Sequence, residues 1–228
     1  MTRPVPAAAS GVTLLGLGLA MGAVGAGLGG HLAGAFVFLI GAGLCDLFDG
    51  WVARRWGGGG SPFGVQLDSL ADMASFGVVP GILVLSAVHG GAAGGGGPGS
   101  GGAPGGGWLW LDLGLVWGYA SCAAFRLAGF NVRAGEDPGP VRAYRGLPVT
   151  WAALIFPALY AVAIALPPDH SGALLRTGLI LTGAAFVVPV PVPKPRGLAY
   201  PVLVVLAVVL SAYLLLHTGA GVEAGGGP

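Results

Sequence analysis

Residues 32–55, LAGAFVFLIGAGLCDLFDGWVARR, and residues 62–88, PFGVQLDSLADMASFGVVPGILVLSAV, are two apolar runs that each carry a pair of aspartates. A bilayer core of about 30 Å needs about 20 apolar residues as a helix, and both runs are long enough. Five further stretches qualify or come near it: 11–30, 108–132, 148–167, 173–190 and 199–217. The expected fold class is therefore all-α, a polytopic membrane protein with about seven transmembrane helices, within a range of about six to eight. The composition agrees. Of 228 residues, 54% are hydrophobic and 8% charged, and the mean hydropathy is +0.82, too few charges to solvate a globular surface. A water-soluble enzyme is excluded. A net charge of +1 supplies no field for a phosphate backbone, so no nucleic acid partner is expected. Cys45 and Cys122 lie inside apolar runs and form neither a disulfide framework nor a zinc site.

The basic residues set the orientation. Arg3, Arg54, Arg55, Arg133, Arg142, Arg145, Lys194 and Arg196 all fall on one side if seven spans alternate, and Arg176 is the exception. Positive charge marks the cytoplasmic side, which puts the N-terminus inside a cell membrane crossed several times. The first span has no clear cleavage pattern and reads as a retained helix rather than a signal peptide. Its Gly18 and Gly22 are spaced for close helix contact, within the chain or in a homodimer. Residues 1–218 read as one transmembrane domain containing a flexible Gly-rich outer loop, 90–107, and followed by a flexible tail, 219–228. The loop lacks the strand and the GK[ST] ending of a phosphate cradle. His31, His89, His170 and His217 stand at span ends and read as interfacial, and Trp108, Trp110 and Trp117 read as an aromatic belt. Pro189, Pro191, Pro193 and Pro195 read as a stiff extended turn.

Ionisable groups inside a membrane are costly, so each is a functional candidate. Asp46 and Asp49 are three apart and Asp68 and Asp72 four apart, which gives each pair one helix face. The short connection 56–61 makes the two helices antiparallel neighbours, with Asp49 beside Asp68 and Asp46 and Asp72 about one turn deeper. Ser61 and Pro62 suit an N-cap and a first turn. Four converging carboxylates cannot all stay ionised in a low dielectric without compensation. A pair of Mg²⁺ or Mn²⁺ ions would provide it, while a proton or sodium pathway in a transporter, or acids at a wet helix end, are the alternatives. Gly50 and Ala53 clear space on the carboxylate face, and Arg54 adds a fixed cation. That suits a nucleotide diphosphate.

Taken together, Asp46-Leu-Phe-Asp49-Gly50-Trp-Val-Ala53-Arg54 followed by Gly64-Val-Gln-Leu-Asp68-Ser-Leu-Ala-Asp72 resembles the signature of the CDP-alcohol phosphatidyltransferases at all eight defining positions. The spacer 55–63 is one residue longer than the usual pattern, an excess that Gly57–Gly60 can absorb. The resemblance implies CDP-diacylglycerol as donor and CMP as product. It also implies two divalent ions on Asp46, Asp49 and Asp68, with Asp72 as general base and additional ligand, and Gly50, Ala53, Arg54 and Gly64 lining the CDP site.

The flanking residues bear on the acceptor alcohol. Asp68-Ser-Leu-Ala-Asp72, then Ser75-Phe-Gly77 and Pro80, are similar to the serine-using branch of the family, as are Arg126-Leu-Ala-Gly-Phe-Asn131 and Gly146-Leu-Pro148. The resemblance implies L-serine as acceptor, with Arg126, Asn131, Arg133 and Arg145 as candidates for its pocket, because a zwitterion needs a cation for its carboxylate. Gly129 departs from that branch, which often has a second Arg there. Glycerol 3-phosphate and inositol phosphate acceptors would use arginines too, and an ion-coupled transporter is the alternative from another class. A homodimer is also implied.

Overall fold

The computed structural model describes residues 7–56, 62–90, 106–136, 143–189, 191–193 and 199–223. The chain order is α1 (Ala7–Leu28), α2 (Leu32–Trp56), α3 (Pro62–Asp72), a π turn (Met73–Val78), α4 (Val79–His89), α5 (Gly106–Glu136), β1 (Ala143–Arg145), a 3-10 turn (Val149–Trp151), α6 (Ala152–Ala163), α7 (Pro168–Val187), β2 (Pro191–Pro193) and α8 (Ala199–Glu223). Since α3, the π turn and α4 run on as one span, helices stand at all seven expected places. Among the described residues, five stretches are long and apolar enough to cross a membrane: Ser10–Leu28, Leu32–Asp49, Phe63–His89, Trp108–Arg133 and Tyr200–His217. Between them lie the shorter apolar segment Val149–Ala163 and α7, whose middle carries Arg176. This is a multi-pass membrane architecture.

Helix α1 packs along α2, which also touches α6 and α8, while α5 packs on α7 and on the π turn. The turn between α1 and α2 is a Schellman ending: His31 N–H donates to Ala26 O at 2.9 Å and Gly30 N–H to Gly27 O at 3.1 Å. Gly30 has φ +82°, the left-handed conformation this ending requires. At the bundle centre Phe36 stacks on Tyr160 with 4.6 Å between centroids, and Tyr119 meets Phe156 edge-on at 5.5 Å and Phe186 at 5.4 Å. Helices approach closely at small residues, as a membrane bundle demands. A Cβ on Gly81 would lie 2.6 Å from a Val116 methyl, and one on Gly43 would lie 2.5 Å from the Ala153 Cβ. Gly22 packs on Phe38, whereas nothing lies against Gly18, so only half of that pair serves packing within the chain.

Four expectations need correction. The proline-rich stretch is not simply a turn: Pro191–Pro193 forms a strand antiparallel to Ala143–Arg145, the one ribbon among the described residues of an otherwise all-α chain. Proline's fixed φ suits an extended edge. Helix α8 continues to Glu223, past the expected end of the span at residue 217; two glycines at about 1 kcal/mol each do not end a helix already propagating. Gly106 and Gly107 belong to α5, leaving 91–105 of the Gly-rich loop, with the connection 57–61 and its Ser61, outside the described residues. His89 is more than an interfacial residue. Its Nε2 lies 2.7 Å from Oδ2 of Asp112, whose carboxylate also accepts from Arg176 Nε at 2.7 Å and Nη2 at 2.8 Å. Asp112 is only 4% exposed, so the bidentate arginine compensates it. The cluster ties α4, α5 and α7 together about 25 Å along the span from Asp72.

Gly146 has φ +86°, and a Cβ there would lie 2.5 Å from the Phe186 carbonyl oxygen. Gly30→Ala, in open space, should cost about 1 kcal/mol through backbone strain alone. Gly146→Ala adds a collision with backbone, and thermal unfolding in detergent should show a clearly larger loss of midpoint for it.

Candidate active site

The aspartates come together as their spacing requires. One carboxylate oxygen from each of Asp46, Asp68 and Asp72 lies within 4.8 Å of the other two. Asp46 and Asp72 are within hydrogen-bonding reach of each other, and so are Asp49 and Asp68, the pairing by depth expected of antiparallel neighbours. Asp49 stands outside the tight triad but lines the same cavity, with Thr13 and Gly16 from α1 and Ser75 from the π turn. Thr13 Oγ1 donates to Asp49 Oδ2 at 3.1 Å. Helix α1 thus closes one wall. It can do so because Gly16 sits tightly against α2, where an added Cβ would lie 3.1 Å from the Cys45 Cβ.

Helix α5 contacts α3 beside the cavity, at Ser69. Ser69 and Asn131 bond reciprocally, Ser69 Oγ to Asn131 Oδ1 at 3.2 Å and Asn131 Nδ2 to Ser69 Oγ at 2.9 Å. This fixes Asn131 beside the residue that follows Asp68. Arg126 lies part-buried on the same helix, and Arg133 is exposed with its guanidinium folded back over Gly129, 3.6 Å from where a Cβ would be. The missing side chain at 129 leaves room for a cation from one turn further on. Arg145 lies on β1, and Gly50, Ala53 and Arg54 lie in the last turns of α2; the side chains of Ala53, Arg54 and Arg145 fall outside the described residues. Gly64 opens α3 two residues after Pro62. The structure therefore joins the four aspartates at one cavity and sets Asn131 against Ser69.

Three features escaped the sequence reading. Thr13 is separated from Asp49 by 36 residues, and no local pattern links them. Asp112 stands alone near a span end, with its arginine 64 residues away. The π turn follows directly on Asp72, and its only local signal is Pro80: residue 80 would donate to the carbonyl of residue 76 in an α-helix, and proline has no N–H.

A carboxylate-only donor set is suited to a hard divalent cation, and the triad's mutual distances allow one ion to be shared. Without such a charge the carboxylates repel one another in a poorly solvated cleft. The residues present fit the group.

Comparison with known proteins agrees with this geometry. The family model for CDP-alcohol phosphatidyltransferase matches residues 7–211. The chain belongs to this family. Among curated relatives, archaetidylserine synthase from Methanothermobacter thermautotrophicus is 31% identical over 132 residues, which is 58% of this chain and 48% of that protein. The matched part thus spans about half of the relative's length.

Replacing Asp46, Asp68 or Asp72 singly by Asn should weaken Mn²⁺ binding to the detergent-solubilised chain about tenfold or more, read by titration of free Mn²⁺ in electron paramagnetic resonance. Asp112→Asn, at the far end of the span, should leave that binding unchanged and lower the thermal midpoint instead.

Proposed function

We propose that this chain transfers the phosphatidyl group of a CDP-linked lipid, CDP-diacylglycerol or its ether-lipid counterpart, to the hydroxyl of L-serine and releases CMP. The observation that carries this reading is the convergence of Asp46, Asp68 and Asp72 from two helices inside the family-matched segment. The serine acceptor is supported by the name of the relative, archaetidylserine synthase. It is supported also by Asn131, which bonds to Ser69, the residue that follows Asp68.

Asp46, Asp49 and Asp68, with Asp72 as a further ligand, would hold Mg²⁺ or Mn²⁺, which would supply charge neutralisation at the pyrophosphate. Thr13 fixes the orientation of Asp49 from α1. Gly50, Ala53 and Gly64 leave the backbone open to the CDP moiety, and Arg54 provides a cation for it. Asp72 takes the proton of the serine hydroxyl as its oxygen forms a bond to the lipid-proximal phosphorus. The bond from that phosphorus to the bridging oxygen breaks, and the bridging oxygen leaves with CMP. Arg126, Arg133 and Arg145 are cations for the serine carboxylate, and Asn131 offers an oxygen to its ammonium.

The positive-inside asymmetry supports a cytoplasmic site and a cytoplasmic N-terminus. A homodimer through α1 is supported by the open Gly18 face. The test is CMP release by the solubilised chain with CDP-diacylglycerol and either metal, offering L-serine, glycerol 3-phosphate and inositol phosphate separately. Release with serine alone is expected, reduced at least about a hundredfold in Asp72→Asn. Release only with another acceptor would overturn the serine assignment, and metal-dependent ion flux without CMP would overturn the transferase reading.

A further inference from the structure

The span from Pro62 to His89 must serve two neighbours at once. Its first half presents Asp68, Asp72 and, one turn on, Ser75 to the cavity; its second half buries Val79, Pro80, Leu83, Val84, Ala87 and Val88 in the bundle. On an uninterrupted α-helix at about 100° per residue, the centres of these two faces would differ by roughly 100°. One of them would point the wrong way. The π turn Met73–Val78 contains one residue more per turn, which removes about 100° of that difference and brings both faces to the same side.

A π turn in the middle of a span is not self-sustaining. Val79 N–H donates to Ala74 O, five residues back, but Pro80 has no N–H to continue the ladder. The Phe76 carbonyl, which residue 80 would serve in an α-helix, instead accepts from the Tyr119 hydroxyl at 2.6 Å. That hydroxyl is delivered from α5 by a ring fixed between Phe156 and Phe186 and only 2% exposed. Gly77 lets α5 come this close, since a Cβ there would lie 3.2 Å from the Ala123 Cβ. Ser75, 3% exposed, is the neighbour of Phe76 and lines the carboxylate cavity.

We propose that Tyr119 is a positioning residue for the carboxylate cluster: its bond to the Phe76 carbonyl holds the π turn in the phase that aims Asp72 and Ser75 at Asp46 and Asp68. The proposal rests on the reading of that cluster as a divalent-cation site for the transfer. Tyr119 touches no carboxylate itself. It acts through the backbone that carries them.

The test compares Tyr119→Phe with Leu175→Ala, a core truncation in α7 that lowers stability while leaving the tyrosine hydroxyl in place. Mn²⁺ affinity without lipid, thermal midpoint, and kcat and KM for CMP release are measured on the solubilised full chain. Tyr119→Phe should weaken Mn²⁺ binding and lower kcat by about tenfold each, with KM for the CDP-lipid within about twofold, as expected when a group orienting the ligands is lost. Leu175→Ala should keep the Mn²⁺ affinity despite its lower midpoint. The proposal is overturned if Tyr119→Phe leaves Mn²⁺ affinity and kcat within about twofold of the parent, or if both variants lose them in proportion to their midpoints. Weakened Mn²⁺ binding in Tyr119→Phe, in a chain that releases no CMP with any acceptor, would uphold the positioning role and remove only the transferase reading.

Discussion

Four carboxylates gathered between two membrane-spanning helices are the constraint to which the rest of the bundle answers. An apolar bundle offers little solvation, so the acids need either a counter-charge or protons, and their geometry favours a shared divalent cation. The surrounding elements are placed to keep those oxygens convergent. Helix α1 binds Asp49 through Thr13, α5 binds the Asp68 neighbour through Asn131, and the π turn sets the direction of Asp72. Each restraint reaches the site from a different helix, so the cleft is assembled only when the bundle packs.

The other buried charge cluster shows the contrast between structural and chemical use of the same residue type. Asp112 accepts on both oxygens from Arg176 and is bonded to His89, so its charge is already compensated within the chain. The triad near the opposite end has no cation among its described contacts, and its fit to a metal follows from that difference. A buried acid with a matched arginine holds helices together, whereas buried acids facing one another call for a cation or protons.

Much of this was legible in the residues. The spans follow from length and hydropathy, and the convergence of Asp46, Asp49, Asp68 and Asp72 follows from spacings of three and four across a short connection. Local periodicity carries that information. Contacts such as Thr13 with Asp49 or Asp112 with Arg176 are set by tertiary packing, and no periodic signal encodes them. The π turn lies between these cases. The phase mismatch between the acidic face of α3 and the apolar face of α4 is present in the sequence, and Pro80 marks where the ladder must break, but the donor that stabilises the break comes from α5. Helix α8 runs beyond residue 217 because glycine lowers helix propensity without forbidding a helix.

The account depends most on the carboxylates acting as the divalent-ion site. Anomalous scattering at the manganese edge, recorded from crystals of the full chain grown with Mn²⁺ and CMP, tests this directly. Anomalous peaks enclosed by Asp46, Asp49, Asp68 and Asp72 are the predicted result. Peaks elsewhere, or none at Mn²⁺ concentrations that support CMP release, would contradict it.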